Sequence, residues 1–367
     1  MIAREWSRIG LLGFGGPPAH IALLRQLCVD RRKWLEPQQF EDGIAATNLL
    51  PGPASTQLAI YTAWRLRGLS GGLVGGLCFI APGLAIIVAL AALFLGSPPG
   101  WVRGAGAGAG AAVAAVAVQA GARLVGPAWK RVAGSGHLAF AVYAVGGAAS
   151  AATIGAWLVL ILLGCGALEL ARRRAGLAAV QLGVLAIAAG AGGLGALAWV
   201  AFKVGALSYG GGFVIVPLMQ HDAVDGYHWM TDVEFLNAVA LGQVTPGPVV
   251  HTVAVVGYAA AGVGGALLAA LVAFAPSFAF VLLGADRFDR LLVNADVRAF
   301  LDGAGPAAIG AIVGSAIPLA QALDYWWQSA VLAGAAISLL VFQRGVVLTL
   351  LLAGAVGVVV ALAGGAV

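Results

Sequence analysis

Charge is the scarcest property of this sequence: Asp, Glu, Lys and Arg together make up 10% of its 367 residues, against about 25% in a soluble domain. A chain with so few charges cannot cover itself for water, which excludes an ordinary soluble protein and a nucleic-acid-binding one. Cysteine is nearly as rare. Cys28, Cys78 and Cys165 stand alone, with neither C-x-x-C spacing nor a paired framework, so a disulfide scaffold is excluded and the three are expected as small buried apolar residues. No P-loop, metal-ligand cluster or catalytic triad is present, and no carboxylate falls convincingly at mid-membrane. An ATP-driven pump, a metal centre, a bound cofactor, an enzyme active site and a cation site are therefore all unexpected. Arg4, Glu5 and Arg8 break up any apolar run at the start, so no cleavable signal peptide is expected.

What fills the chain instead is apolar: 61% of residues are hydrophobic and the mean hydropathy is +0.97. Apolar stretches long enough for a hydrocarbon core of ~30 Å recur at 69–95, 104–121, 137–150, 152–171, 177–198, 263–284, 303–320, 326–342 and 346–365. The 55 glycines suit membrane helices that pack through small residues. The net charge of +5 comes from Lys and Arg in short loops, the positive-inside pattern. The chain thus reads as an all-α polytopic membrane protein of a bacterial inner (plasma) membrane. The lipid bilayer is its one certain partner, with room for a homodimer.

Displaced by 195 residues, the sequence matches itself. Gly15-Gly16 falls on Gly210-Gly211, Trp34 on Trp229, Phe40 on Phe235, and Pro51-Gly52-Pro53 on Pro246-Gly247-Pro248. Matched Trp, Phe and Pro-Gly-Pro landmarks at one displacement indicate a duplication. Basic residues alternate between the copies: Arg25, Arg31, Arg32 and Lys33 have no basic counterpart in 221–231, whereas Arg287, Arg290 and Arg298 answer a loop holding only Arg103. That swap predicts two repeats of inverted topology, an N-terminal one over 1–174 and a C-terminal one over 199–367. The unpaired connecting span at 175–198 would invert the second copy.

Four further segments, 8–24, 43–64, 202–219 and 235–257, are apolar but interrupted, and read either as re-entrant hairpins or as broken helices that cross; hairpins keep Arg65 and Arg67 on the side of Arg31 to Lys33. Pro-Gly-Pro within a membrane removes backbone donors and bends the chain, and the freed groups need partners in protein or a wet cavity. Each returning half-helix would begin near the midplane, its unpaired N–H groups and positive dipole end turned inward. Four such ends form an anion site without a buried arginine. The expected ligands are Gly15, Gly16, Asn48, Pro51, Gly52, Ser55, Thr56 and Gln57 in the first half, and Tyr209, Gly210, Gly211, Gln243, Thr245, Gly247 and Thr252 in the second. His20 and His251 lie within a turn of the half-helix starts, either as hydrogen-bonded core residues or as proton carriers. Lys203 either snorkels to the surface or lends its charge to the site.

At these residues the sequence resembles the chromate ion transporter family. The likeness runs through Phe14-Gly-Gly-Pro-Pro-Ala-His20, Arg31-Arg-Lys-Trp34, Leu50-Pro-Gly-Pro-Ala-Ser-Thr-Gln57 and Phe79-x-x-Pro82, then Tyr209-Gly-Gly-Gly212, Ala240-Leu-Gly-Gln-Val-Thr-Pro-Gly-Pro248 and Phe274-x-Pro276. It covers both halves and departs at Tyr209, usually Phe, and Trp64, often Gly. The resemblance implies a long, two-domain exporter of chromate from the cytoplasm, with sulfate as a close analogue. A transporter or importer of sulfate or another oxyanion, and an anion channel, stay open as alternatives.

Overall fold

The computed structural model describes residues 1–130, 132, 136–153, 158–174, 193–208, 215–284 and 294–367, and among them all regular structure is helical. Helix α1 (Ile2–Leu12) ends at Gly13, and α2 (Pro17–Arg25) begins at a proline pair. Pro17 and Pro18 carry no N–H, so a helix can start on them but cannot run through them. Gly15 and Gly16 reverse the chain with φ of 96° and 74°. After a π-helical turn at Gln26–Arg31 the chain is back where it began. Arg32 pairs with Glu5 at 3.0 Å, and Trp34 stacks on Trp6 with ring centroids 6.3 Å apart. This segment is a hairpin.

The second hairpin follows the same logic. Helix α3 (Pro37–Leu49) opens on a capping box between Glu36 and Gln39, which satisfies donors at both ends of its first turn. Past Pro51-Gly52-Pro53, α4 (Ala54–Leu95) folds back so that Gly43 faces the ring of Tyr61. Trp6 Nε1 donates to the Ala59 carbonyl at 2.7 Å, binding the two hairpins together. Helix α4 breaks at Arg67 and Gly68, where Gly68 takes a φ of 60°. Only 69–95, about 40 Å long at 1.5 Å per residue, crosses the bilayer from there. Helices α5 (Gly100–Ala111) and α6 (Val113–Lys130) form the return crossing, followed by α7 (Gly136–Thr153) and α8 (Leu158–Arg174).

The second half repeats this backbone. Helix α9 (Leu194–Leu207) and α10 (Ile215–Gln220) make the third hairpin, whose arms are tied by Lys203 and Asp222 at 2.5 Å. Helix α11 (Asp232–Val244) and the start of α12 (Thr252–Gly284) make the fourth. The agreement at a displacement of 195 is detailed. A second π-helical turn lies at His221–Gly226, and Lys33 and His228 share positive φ of 52° and 51°. The N–H groups of Trp34 and Leu35 converge on the Cys28 carbonyl as those of Trp229 and Met230 do on Ala223. Helix α12 has its own break at Gly262. Beyond it run α13 (Ala295–Gly314), α14 (Ala316–Gln321), α15 (Trp326–Ala336) and α16 (Val346–Leu362).

Ala54–Leu95, Gly100–Lys130, Val249–Gly284 and Ala295–Gln321 are each long and apolar enough to cross a membrane, with shorter apolar helices beside them. The protein is a multi-pass integral membrane protein. The stretches 69–95 and 263–284 pack antiparallel, Gly72 against Leu282 and Gly76 against Phe278. Around them backbones touch directly: Gly104 meets Gly357, and Gly147 meets Ala307, as expected where packing rather than water drives association. Buried Glu169 anchors the periphery, accepting from Arg172, Arg173 and Tyr143 while Arg173 reaches Asp302 at 2.8 Å. Two expected boundaries move. Helix α13 starts at Ala295, where the Asn294 side chain caps it, well before 303. Helix α9 starts at Leu194, directly after Gly193 with its φ of 109°, so a helix boundary falls inside the segment expected as the connecting span. The rest of that span, 175–192, lies outside the described residues.

Candidate functional site

The Pro-Gly-Pro turns of the second and fourth hairpins are largely buried and cross-linked between the halves, each to the helix end of a hairpin in the other half. Gly52 donates its N–H to the carbonyl of Ser208 at 2.7 Å, and Gly247 donates to the carbonyl of Gly13 at 3.1 Å. Ser208 and Gly13 are themselves equivalent positions at the ends of α9 and α1, so each Pro-Gly-Pro turn is tied to the other half in the same way. Both glycines hold positive φ, 123° and 101°, a conformation that admits little besides glycine. These two N–H groups are therefore taken up in holding the halves together. The donors left without a backbone acceptor among the described residues are one step further on, at Ala54 and Ser55 and at Val249 and Val250, where the first turn of any helix has none. Pro53 and Pro248 sit as the residues just before those turns.

Side chains around the turns are buried and in several cases unpartnered. Thr56 Oγ1, Gln57 Oε1, Ser208 Oγ, Gln243 Nε2, Ser277 Oγ and both ring nitrogens of His251 lack any hydrogen-bond partner. Leaving one such group unsatisfied costs about 1–3 kcal/mol, so a concentration of them marks a place built for something else to bind. Elsewhere, Ser150 and Asn237 are in the same condition. His251 is fully buried, faces both Gly83 and Gly247, and meets Phe274 edge-on with centroids 5.4 Å apart. Ser277 lies one helical turn beyond Phe274, and its hydroxyl is 3.1 Å from where a side chain at Gly52 would begin. The two turns therefore share one polar cluster.

The remaining expected residues divide by what already holds them. His20 donates from Nε2 to Gly13 at 2.9 Å, which makes Nδ1 the acceptor for the Ser55 hydroxyl at 3.1 Å. Gln57 Nε2 donates to the Pro51 carbonyl at 2.7 Å, so its oxygen is the free end. Thr245 and Thr252 return their hydroxyl protons to their own helical turns, at Leu241 and Val249. Lys203 has its ammonium engaged by Asp222 across the third hairpin. Asn48 is exposed and lines, with Thr47 and Gly52, a cavity of about 390 Å³. Gly16 lies beside the Val249 side chain, while Gly15 stands clear at the first tip. Tyr209, Gly210 and Gly211 lie outside the described residues. Ser277 is the residue that sequence reasoning missed. Its one signal was its place just after Pro276, in mid-crossing.

The donors around the cluster are helix starts, hydroxyls, an amide and an imidazole, all uncharged as hydrogen-bonded here. Such a set can strip water from an anion and still let it go. Among the described residues no group of His, Cys, Asp and Glu is placed to hold a metal ion.

A family model described as chromate transporter matches residues 1–170 and 195–358. The chain is 33% identical over 338 residues to the chromate transport protein of Cupriavidus metallidurans, covering 86% of this chain and 80% of that one. It is 30% identical over 339 residues to the probable chromate transport protein of Synechococcus elongatus, covering 87% and 84%. An uncharacterized transporter of Methanocaldococcus jannaschii is 27% identical and covers 97% and 93%. No solved structure matches. With both halves of the sequence matched, the chain belongs to the chromate transporter family.

Proposed function

We propose that this protein is a secondary transporter that exports a tetrahedral oxyanion, chromate, from the cytoplasm, binding it between the two Pro-Gly-Pro turns. The observation that carries this reading is the set of unpartnered buried groups able to donate around both turns, Thr56, Ser208, Gln243, His251 and Ser277. An oxyanion would take hydrogen bonds from the hydroxyls, the Gln243 amide and the helix starts at Ala54 and Val249, with no buried cation to hold it back. The names of the relatives in Cupriavidus and Synechococcus point to chromate as the member of that class.

The two halves are proposed to insert in opposite orientations. The antiparallel packing of 69–95 on 263–284 supports this, because it places the breaks at Gly68 and Gly262, and the hairpin bases beside them, at opposite ends of the pair. A shared site between oppositely inserted halves can face either side in turn. Export needs no ATP: each charge moved across 100 mV is worth ~2.3 kcal/mol, so a dianion leaving a negative interior gains about 4.6 kcal/mol. Proton coupling is compatible with this and not required by it. The test is chromate uptake into everted vesicles, where the cytoplasmic face is outside. Saturable uptake inhibited by sulfate is expected, and uptake that sulfate and chloride inhibit equally would indicate a nonspecific anion pore.

A further inference from the structure

We infer that the cavity of about 390 Å³ between the second hairpin and helices α6 and α13 is the vestibule through which the anion reaches the central cluster from the cytoplasm. The inference rests on the proposed transport function and adds the route. The cavity's polar wall is the end of α3 and the turn itself, with Thr47, Asn48 and Gly52. Gly52 is the partition. On its far side lie the Gln57 amide and the Ser277 hydroxyl, both fully buried and each with an unpartnered oxygen. The partition is pinned by one hydrogen bond across the halves, from Gly52 N–H to Ser208. A movement that breaks it would join the cavity to the cluster.

The cavity's sidedness follows from the chain path. The stretch 69–95 crosses away from Gly68, and Gly100–Lys130 crosses back, so Lys130 returns to the end that carries Arg32, Arg65 and Arg67. Helix α6 contributes Leu124, Pro127 and Ala128, its last turns, so the cavity lies in that half of the bilayer. Concentrated Lys and Arg mark that end as cytoplasmic. Asn48 and Pro127 are exposed at the lining, which gives the space an outlet.

Single cysteines at Asn48 and Ala128, in a variant with Cys28, Cys78 and Cys165 replaced by serine, test this directly. In everted vesicles a charged, membrane-impermeant methanethiosulfonate should label both, chromate should slow the labelling severalfold, and right-side-out vesicles should give no labelling. Ala128→Trp should abolish chromate flux while the purified protein stays monodisperse in detergent. Labelling by lipid-soluble maleimide alone would show that the cavity opens to the bilayer and overturn the inference. So would labelling that chromate leaves unchanged in a variant that still transports it. Absence of chromate flux in the cysteine-free parent and the unmodified protein alike would instead remove the proposed function, leaving sidedness of labelling to decide the vestibule.

Discussion

At the first-half turn, positions 52, 55, 56 and 57 hold Gly, Ser, Thr and Gln; at the equivalent second-half turn, 247, 250, 251 and 252 hold Gly, Val, His and Thr. Both turns share a positive-φ glycine and the hydrogen bond it sends to the other half, although an α-helix follows directly at Ala54 and a 3-10 turn at Val249–His251 comes first in the second half. The side chains have parted. One turn offers hydroxyls and an amide, the other an imidazole, and His20 has only Ile215 as its counterpart. What is retained is thus the geometry that presents helix starts to the centre, a requirement that any tetrahedral anion imposes. What has diverged are the groups that can distinguish one anion from another. The two histidines make the point: His20 is held at both nitrogens and braces two hairpins, whereas His251 makes no well-formed hydrogen bond and has only a backbone contact at Ile80.

The largest effect should come from breaking what the halves share. Leucine at Gly52 would force a side chain into positive φ and onto the Gln57 amide; at Gly247 it would strike His251. Gly52→Leu and Gly247→Leu should each abolish chromate flux in vesicles at matched expression. Normal flux in either variant would reduce its turn to structural punctuation and end the account of a shared site.

Next come the histidines, where the halves differ. His251→Leu removes two unpartnered nitrogens, so thermal unfolding in detergent should be unchanged or shifted upward while chromate flux is lost. His20→Leu strips partners from Gly13 and Ser55, and should cost about 1–3 kcal/mol of stability, seen as a lower midpoint in the same melt. Reversal of the two results would exchange the bracing and binding roles. The smallest effect belongs to Ser55→Ala. It deletes one neutral hydrogen bond to His20, worth ~0.5–1.5 kcal/mol of stability, and should lower the midpoint of the same melt by less than His20→Leu does; outright loss of flux would place Ser55 on the anion.

Much of this architecture was legible in the sequence because prolines and paired glycines leave the chain few options. Pro17, the two Pro-Gly-Pro turns and the matched Trp34 and Trp229 identified the hairpin sites and the duplication before any coordinate. Contacts between the halves were not legible. That Gly52 bonds to Ser208 and Gly247 to Gly13 depends on how two distant segments meet, which periodicity within either one cannot report. For the same reason Lys203 looked like a free charge until Asp222 was found opposite it. Nor does the sequence show that the surroundings of Ser277 hold no hydrogen-bond partner for it.

The central claim is that two oppositely inserted copies close one site between them, and sidedness tests it most directly. Gln38 and Gly226 are exposed near the bases of the second and third hairpins, one in each half. Single cysteines at these positions in the cysteine-free background would be probed with impermeant maleimide in intact cells and in everted vesicles. The account predicts that Gln38→Cys reacts only in everted vesicles and Gly226→Cys only in intact cells. Reaction of both from the same side would contradict it.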